Sequence, residues 1–216
     1  MPEPATMSLL GTSFIAMVIR YLHRKYRQAK PYFDQVVGFV LLLALSPIIL
    51  ACALLVKLTS RGPAFYRQER VGQNGQIFKI IKLRTMRIDA ESQSGPVWAC
   101  ENDPRSTIVG KFLRKSHLDE FPQLINVIRG EMSLVGPRPE RPHFVKQLSE
   151  SVPDYEKRLS VKPGITGLAQ VLAGPDRTVR DARRKAKLDA MYIRRMCWLT
   201  DFIVMIRTLR KFAGHT

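Results

Sequence analysis

Acidic residues are scarce in this sequence of 216 amino acids, which has 18 Asp and Glu against 35 Lys and Arg and a formal net charge of +17. Such an excess of positive charge predicts an anionic partner: nucleic acid, anionic lipid or a phosphorylated substrate. Charge alone does not choose among these three classes. Hydrophobic residues make up 45% of the chain, enough to bury a core, and this composition excludes a wholly disordered protein.

Cysteine is also sparse. Cys52, Cys100 and Cys197 lie far apart in the sequence, and their positions match no metal-ligand spacing. We predict that all three are reduced and structural, in a chain that faces a reducing compartment. The length allows one domain, or one domain with an appendage.

Charge is missing altogether from Val36 to Val56, a run of 21 residues. That run is long enough for a membrane helix. A cleaved signal peptide is disfavoured because the run begins late and no small-residue cleavage site follows it. The remaining alternative is a buried core helix, which the length and the lack of a polar face disfavour.

Basic residues flank this apolar run on both sides, and the positive-inside rule places both flanks on the cytoplasmic side. A straight span would carry one flank across the membrane. Ser46 and Pro47 lie in the middle of the run, and proline kinks a helix because it lacks a backbone donor and clashes with the preceding turn. Proline also occurs in ordinary spanning helices, so the kink and the symmetric charge together predict a hairpin that enters and leaves one leaflet.

Two further segments have amphipathic patterns. Residues 8–28 combine an apolar stretch with a basic tail, which fits an interfacial helix or a poorly ordered leader. Residues 186–212 repeat apolar side chains at intervals of three and four and carry Trp198 and a basic border, which predicts one amphipathic helix. This helix either lies on a membrane surface or packs on the protein's own core.

The segment between residues 64 and 86 predicts a β-hairpin, because two β-favouring runs flank Asn74 and Gly75. If the second run is extended, Lys82 and Arg84 project from one face. Ordinary solvated strand charges are the alternative. Residues 89–107 are polar and turn-rich and predict a surface loop.

An acidic pair, Asp119 and Glu120, stands out in the segment KSHLDEFPQL. With Asp119 as the N-cap, Pro122 falls in the first turn of a helix that ends at Gly130. At such a terminus two adjacent carboxylates can converge on a metal or a phosphate. The alternatives are a simple N-cap at Asp119, or a capping box with Ser116.

The residues around the acidic pair favour a catalytic role over a purely structural cap. An Asp carboxylate can attack phosphorus to give an acyl phosphate, and such a step needs a hard divalent cation and positive groups over the phosphates. Arg114 and Arg138 lie close to the pair in sequence, while Lys82 and Arg84 could join through the fold. Pro137 and Pro139 hold Arg138 in extended geometry.

Three motifs follow one another along the chain: SPIILACALLVKLTSRGPAFYRQERVGQNGQIFKIIKLRTM, FLRKSHLDEFPQLINVIRGEMSLVGPRPERP and VKPGITGLAQV. From about Phe33 to the C-terminus, this ordered set resembles the bacterial sugar transferases, the monotopic phosphoglycosyl transferases that begin glycan assembly. Small departures are His117, where many members carry Ser or Thr, and Leu168, where Trp is frequent. The first 30 residues lie outside the resemblance.

The resemblance implies transfer of a sugar 1-phosphate from a UDP-sugar to polyprenyl phosphate, with release of UMP. It implies a covalent phosphosugar on Asp119, with Glu120 as its partner and Mg²⁺ held by the two acids. Arg114 is then a phosphate contact, and Arg138, between Pro137 and Pro139, binds the nucleotide diphosphate. Further family elements are the basic strand of Lys82 and Arg84, the helix break at Ser46 and Pro47, and a structural loop at Gly164, Thr166 and Gly167.

These inferences predict a small helix-rich α/β, or α+β, domain with a short β-hairpin. We expect a leader or interfacial helix in residues 1–30, a re-entrant membrane helix in 31–60 and a cytosolic catalytic domain in 61–216. The protein would be monotopic on the cytoplasmic face of a bacterial inner membrane and act in exopolysaccharide or other glycan assembly, with a homodimer also consistent. Nucleic acid is not an expected partner, since no basic motif interleaved with aromatic residues occurs. The competing hypothesis is a non-catalytic basic membrane module, which has no use for Asp119.

Overall fold

The computed structural model describes residues 4–90, 103–174 and 178–212. Cys100 and most of the loop predicted at 89–107 lie outside these ranges. Cys52 is buried and Cys197 is partly buried. Their redox state stays a prediction.

The first element, α1, is a single helix from Pro4 to Thr59 that continues through Pro31 and Pro47. Its part from Arg20 to Thr59 is long and apolar enough to cross a membrane, by length and composition. Only 22% of its most apolar window is buried, which argues against the buried core helix. The helical assignment is not interrupted at Ser46 and Pro47, so a helix break and membrane re-entry stay predictions.

The two faces of α1 differ in their surroundings. One face packs on the rest of the molecule through Cys52, Ala53 and Val56, which are buried. The other face presents large exposed apolar side chains, namely Val36, Phe39, Val40, Leu43, Leu50, Leu54 and Leu58. An exposed apolar face of this length is typical of an interaction or membrane surface.

The predicted β-hairpin is confirmed. Strands β1 (Phe65–Val71) and β2 (Ile77–Leu83) pair antiparallel, with Phe65 opposite Leu83 and Val71 opposite Ile77. Asn74 and Gly75 adopt φ values of 54° and 79° in the connection, a left-handed conformation that Gly and Asn tolerate best.

The central part of the chain forms short elements around the acidic pair. They are α2 (Ile108–Lys115), a 3-10 helix (Leu118–Gln123), α3 (Leu124–Ile128), β3 (Ser133–Val135), α4 (Pro142–Ser151), a second 3-10 helix (Tyr155–Ser160), β4 (Gly164–Thr166) and α5 (Leu168–Leu172). Strands β3 and β4 pair in parallel, with Ser133 opposite Gly164 and Val135 opposite Thr166. The sequence analysis did not anticipate this second small sheet.

The C-terminal region forms two helices, α6 (Val179–Arg195) and α7 (Trp198–Phe212), so the prediction of one continuous helix over 186–212 was wrong. The break occurs because Met196 has a non-helical ψ of 117°. The alternative of packing on the core is confirmed, since Tyr192, Met196 and Val204 are buried there. Leu199 is 66% exposed, and contact of this face with a membrane stays a prediction.

The main core lies between the hairpin, β3 and the C-terminal helices. Its buried side chains come from most of the elements, namely Tyr26, Phe78, Ile80, Leu124, Val127, Met132, Leu134, Val135, Tyr192, Met196 and Val204. The described fold is therefore helix-rich with two small two-stranded sheets, in agreement with the coarse expectation of an α+β-like domain.

Candidate active site

The acidic pair lies in the first turn of the 3-10 helix Leu118–Gln123, and the residue that caps this helix is His117, with a left-handed φ of 55°. Asp119 is therefore not the N-cap, and the predicted cap was wrong by two residues. The capping box is also wrong: the Ser116 hydroxyl donates to the carbonyls of Phe112 and Leu113 at 2.9 and 3.2 Å. Ser116 closes α2, and the chain then reverses at His117.

The end of this helical segment agrees with the prediction. After the 3-10 turn the chain continues as α3 to Ile128, and Gly130 follows with φ of 77°. A left-handed glycine is the usual way to end a helix. Pro122 lies within the tight turn, where a missing backbone donor costs little.

Glu120 is held by two cations from distant parts of the chain. Its Oε1 accepts hydrogen bonds from Lys82 Nζ at 2.7 Å and from Arg138 Nη2 at 2.5 Å, and its Oε2 accepts one from Arg138 Nη1 at 3.2 Å. Burial alone would raise the pKa of Glu120, but Arg138 and Lys82 outweigh burial and hold this pKa well below its usual range. Glu120 is therefore ionised at neutral pH.

Asp119 is a buried carboxylate, with 7% of the residue exposed. Among the described residues, its oxygens have neither a hydrogen-bond donor nor an ion-pair partner within contact distance. Burial raises the pKa of Asp119 to about 6, and Glu120 adds to the rise, while Lys82, Arg138 and Arg114 oppose it. The group is thus mostly ionised at neutral pH and free to react, as a nucleophile must be.

Burial and the nearby charges also shift the pKa values of the two cations, Lys82 and Arg138. Burial lowers the pKa of Lys82, and the charge of Glu120 partly restores it. The charge of Glu120 raises the pKa of Arg138 above its usual value. Two negative and two positive groups thus balance in one cluster. Arg138 is its most open member, because 38% of its side chain is exposed.

The loop that carries Arg138 is fixed through the carbonyl groups of three consecutive residues. The backbone N–H of Gly164 donates to the Pro137 carbonyl at 2.9 Å, Arg158 Nη2 to the Arg138 carbonyl at 2.9 Å, and Arg70 Nη1 to the Pro139 carbonyl at 3.1 Å. With two prolines restricting the backbone as well, the loop is held while the Arg138 side chain points to Glu120.

The loop around β4, which contains Gly164 and Gly167, packs directly against the backbone of Gly136 at the start of the Arg138 loop. A Cβ atom on Gly164 would lie 2.1 Å from the backbone N of Gly136, and one on Gly167 would lie 2.1 Å from the Gly136 carbonyl oxygen. Only glycine allows the two backbones to approach so closely. These contacts agree with the structural role expected for Gly164, Thr166 and Gly167.

The other residues predicted for the site lie in different surroundings. Arg84 is 6% exposed and donates to the carbonyls of Ser60, Arg61 and Pro63 at 3.0, 2.7 and 2.7 Å. Its guanidinium therefore binds the segment that follows α1 and not the acidic pair. Arg114 donates to Ser106 Oγ at 3.1 Å and is close enough to Asp119 to lower its pKa slightly. Ser46 and Pro47 belong to α1, where Ser46 Oγ donates to the Leu43 carbonyl at 2.8 Å.

One buried polar network was missed by the sequence analysis. Lys30 Nζ lies 2.5 Å from Asp201 Oδ2 and 3.3 Å from Asp34 Oδ2. Tyr26 and Tyr192 donate to Asp201 at 2.6 and 2.7 Å. A weak signal existed: Lys30 and Asp34 are four residues apart on a helix, and both acids border apolar runs.

The fit of a divalent cation to this site is partial. The described residues contain no group of three or more His, Cys, Asp and Glu side chains that could hold a metal. Mg²⁺ is often bound through one or two carboxylates together with substrate phosphates. Asp119 fits such a role because its carboxylate is unoccupied, whereas Glu120 is occupied by Lys82 and Arg138.

Comparison with known proteins found a match to the family model described as bacterial sugar transferase over residues 25–215. A UDP-glucose:undecaprenyl-phosphate glucose-1-phosphate transferase of Caulobacter vibrioides is 41% identical over 184 residues, which cover 83% of this chain and 68% of the relative. The exopolysaccharide production protein PSS of Rhizobium leguminosarum is 38% identical over 188 residues, covering 83% of this chain and 92% of the relative.

A third relative transfers a different sugar, by its name. The UDP-N-acetylgalactosamine-undecaprenyl-phosphate N-acetylgalactosaminephosphotransferase of Aeromonas hydrophila is 43% identical over 165 residues, or 76% of this chain. The match spans only 39% of that relative's length, and other long relatives are covered to a similar extent. From the family match and these identities, the chain belongs to the bacterial sugar transferase family.

Proposed function

We propose that this protein transfers a sugar 1-phosphate from a UDP-sugar to polyprenyl phosphate and releases UMP. The observation that carries the proposal is the pairing of two unlike acids: a buried Asp119 without a hydrogen-bond donor beside a Glu120 held by Lys82 and Arg138. The relatives named above act on undecaprenyl phosphate by their names, which supports this acceptor class.

The first step is an attack of an Asp119 carboxylate oxygen on the phosphorus that carries the sugar. A bond forms between that oxygen and phosphorus, and the bond from phosphorus to the bridging oxygen breaks. UMP leaves with the bridging oxygen and its electron pair. The sugar phosphate is then held as an acyl phosphate on Asp119.

The second step uses the polyprenyl phosphate as the nucleophile. One of its phosphate oxygens attacks the same phosphorus, and the bond to the Asp119 oxygen breaks. The product is a polyprenyl diphosphate sugar, and Asp119 returns as a carboxylate. Neither step leaves a proton to be removed when the attacking oxygen is already ionised.

The neighbouring charges would stabilise both steps. The ionised Glu120 fixes Lys82 and Arg138, and the remaining N–H donors of these cations can bind the diphosphate of the donor. A magnesium ion held by Asp119, by Glu120 if it is released from its cations, and by substrate phosphates would supply further charge neutralisation.

We also propose that the protein is monotopic on the cytoplasmic face of a bacterial inner membrane and acts in exopolysaccharide or related glycan assembly. The exposed apolar face of α1 supports a membrane location, and the name of the Rhizobium relative supports a part in exopolysaccharide assembly. Membrane-impermeant labelling of cysteines introduced at the two termini tests it. Protection of both termini in intact cells is expected, and labelling of one terminus from outside contradicts re-entry at Ser46 and Pro47.

Release of UMP tests the reaction itself. Protein in nanodiscs receives UDP-glucose, UDP-galactose or a UDP-N-acetyl sugar, together with undecaprenyl phosphate and Mg²⁺. We expect UMP with at least one donor from the native protein and none from an Asp119→Asn variant. Equal UMP release by both proteins would contradict the role of Asp119. Intact membrane binding with no release on any donor would favour the non-catalytic membrane module.

A further inference from the structure

A cavity of about 240 Å³ lies between α1, β3 and α7, and neither acid of the pair lines it. Most of its wall is apolar and is formed by Phe33, Leu134, Val135, Trp198, Phe202 and Met205. Neither the charge cluster around Glu120 nor the proposed donor site uses these side chains. A ligand in this cavity would therefore contact side chains that the proposed donor site does not use.

The two acids in its wall, Asp34 and Asp201, are already occupied. Asp201 accepts hydrogen bonds from Tyr192 on Oδ1 and from Tyr26 and Lys30 on Oδ2. Asp34 Oδ2 accepts one from Ser133 at 2.5 Å. With these oxygens engaged inside the protein, the cavity offers mainly apolar surface, which suits a hydrocarbon.

The mouth of the cavity is aromatic and exposed. Phe33, Trp198 and Phe202 are 45%, 44% and 57% exposed, and the rings of Phe33 and Trp198 meet edge to face at 4.8 Å. On both sides the mouth continues into the exposed apolar faces of α1 and α7. Aromatic rims and continuous apolar faces are typical of a membrane interface, so a ligand can enter from the bilayer.

The inner wall of the cavity lies near the charged cluster in the chain. Val135 lines the cavity and precedes Arg138 by three residues, a distance of at most about 10 Å along an extended chain. Arg138 in turn contacts Glu120. A phosphate attached to a hydrocarbon chain in the cavity would therefore lie near the cations of the candidate active site.

We propose that this cavity binds the part of the polyprenyl chain nearest the phosphate of the acceptor lipid, an inference that rests on the function proposed above. The exposed aromatic mouth on one side, and the nearness of Val135 to Arg138 on the other, fit a long hydrocarbon that ends in a phosphate. It fits a bilayer acyl chain less well, because such a chain has no need of the Arg138 end.

The kinetic test compares two variants of α7. Phe202→Ala removes an aromatic wall of the cavity, whereas Leu199→Ala removes an equally peripheral apolar side chain that does not line it. Both residues are more than half exposed, so neither change should disturb folding. Formation of the lipid-linked sugar phosphate is measured in nanodiscs at varied undecaprenyl phosphate and varied UDP-sugar.

In Phe202→Ala, we expect the KM for undecaprenyl phosphate to rise about tenfold, as when roughly two buried methylene groups are lost. The KM for UDP-sugar should not change, and Leu199→Ala should match the native protein. An unchanged KM in Phe202→Ala, or an equal rise in Leu199→Ala, would overturn the proposal. A native protein that forms no product with any UDP-sugar would instead contradict the proposed function.

A second measurement does not depend on turnover. A polyprenyl phosphate that bears a diazirine on its first isoprene units is photolysed with the native protein, and the labelled peptides are identified. Labelling of α7 and β3, displaced by undecaprenyl phosphate and not by phosphatidylglycerol, is expected. Labelling elsewhere, or equal displacement by both lipids, would overturn the assignment of the cavity to the acceptor chain.

Discussion

Asp119 and Glu120 are adjacent and share one charged cluster, yet the surroundings move their pKa values in opposite directions. Burial dominates at Asp119 and raises its pKa to about 6. At Glu120 the contacts with Arg138 and Lys82 outweigh burial and lower the pKa. Two carboxyl groups with separated pKa values are a common arrangement in active sites, and here the separation supports the reactive role proposed for Asp119.

The raised pKa of Asp119 predicts the pH dependence of the first step. Only the carboxylate attacks phosphorus, so the rate of UMP release without acceptor lipid should fall as the pH drops through about 6. Omission of polyprenyl phosphate keeps the titration of that lipid out of the profile. If the rate fell only near pH 4, the ordinary range for Asp, the raised pKa of Asp119 would not control the first step, and the account would be contradicted.

The same shift makes Asp119 a cost to stability. A carboxyl whose pKa is higher in the folded state binds a proton more readily there, so its contribution to folding free energy is lost as pH rises through the interval from about 4 to about 6. Asp119→Asn should therefore be more stable than the native protein at pH 7, by about 1–3 kcal/mol. Urea unfolding at pH 7 measures the gain, which should vanish near pH 4. A less stable variant would contradict the account.

At the scale of elements, the close approach of the β4 loop to the Arg138 loop, called the crossing below, fixes the position of the Arg138 loop in the site. Gly164→Ala places a Cβ 2.1 Å from a backbone nitrogen. We expect a loss of about 3 kcal/mol of stability and a large loss of activity, because the Arg138 loop must move. Gly174→Ala is the matched control, since nothing lies within 4 Å of its Cβ. Thermal unfolding and UMP release measure both variants, and similar behaviour of the two would contradict the crossing.

Local signals in the sequence predicted several of these elements. Asn74 and Gly75 predicted the hairpin, and Gly130 predicted the helix end, because both depend on the backbone freedom of nearby residues. The second sheet was not predictable in this way, since each strand has three residues and its partner lies about thirty positions away. The break at Met196 also carries no Gly or Pro, and Met196 itself is buried in the main core.

The residues of the candidate site were likewise predictable from the sequence only in part. The acidic pair, Lys82 and Arg138 were selected from the sequence, and the fold brings them together. The cap at Asp119 failed because a left-handed His117 starts the turn earlier. Arg84 was grouped with Lys82 through alternation along a strand, but it follows the last residue of β2 and donates to the segment that follows α1. Its substrate-binding role stays a prediction without support from its contacts.

At the scale of the whole molecule, α1 is joined to the C-terminal helices by the network around Lys30. Lys30→Met leaves Asp34 and Asp201 buried without their cation, and the loss of one partner of a buried pair costs about 3–5 kcal/mol. Lys25→Met, on the exposed side of the same helix, should change stability by less than about 1 kcal/mol. Unfolding in detergent compares them, and equal stability of the two variants would show that the network does not hold α1.

The joint arrangement of these parts explains a protein with so much positive charge. In the proposed function, the basic residues serve anionic substrates and a membrane surface. Among the described residues, the buried acids pair internally or, at Asp119, stay open for reaction. The domain limits at residues 30 and 60 and the use of Mg²⁺ stay predictions, because α1 runs through the first limit and the described carboxylates offer only the acidic pair.

The central claim is that Asp119 forms a covalent bond to the sugar phosphate. The most direct measurement is the intact mass of the protein after incubation with its UDP-sugar and Mg²⁺ in the absence of acceptor lipid, followed by peptide mapping. We predict a gain equal to one sugar phosphate on the peptide that contains Asp119, its loss on addition of polyprenyl phosphate, and no gain in Asp119→Asn. UMP release without an adduct, or an adduct on another residue, would contradict the account.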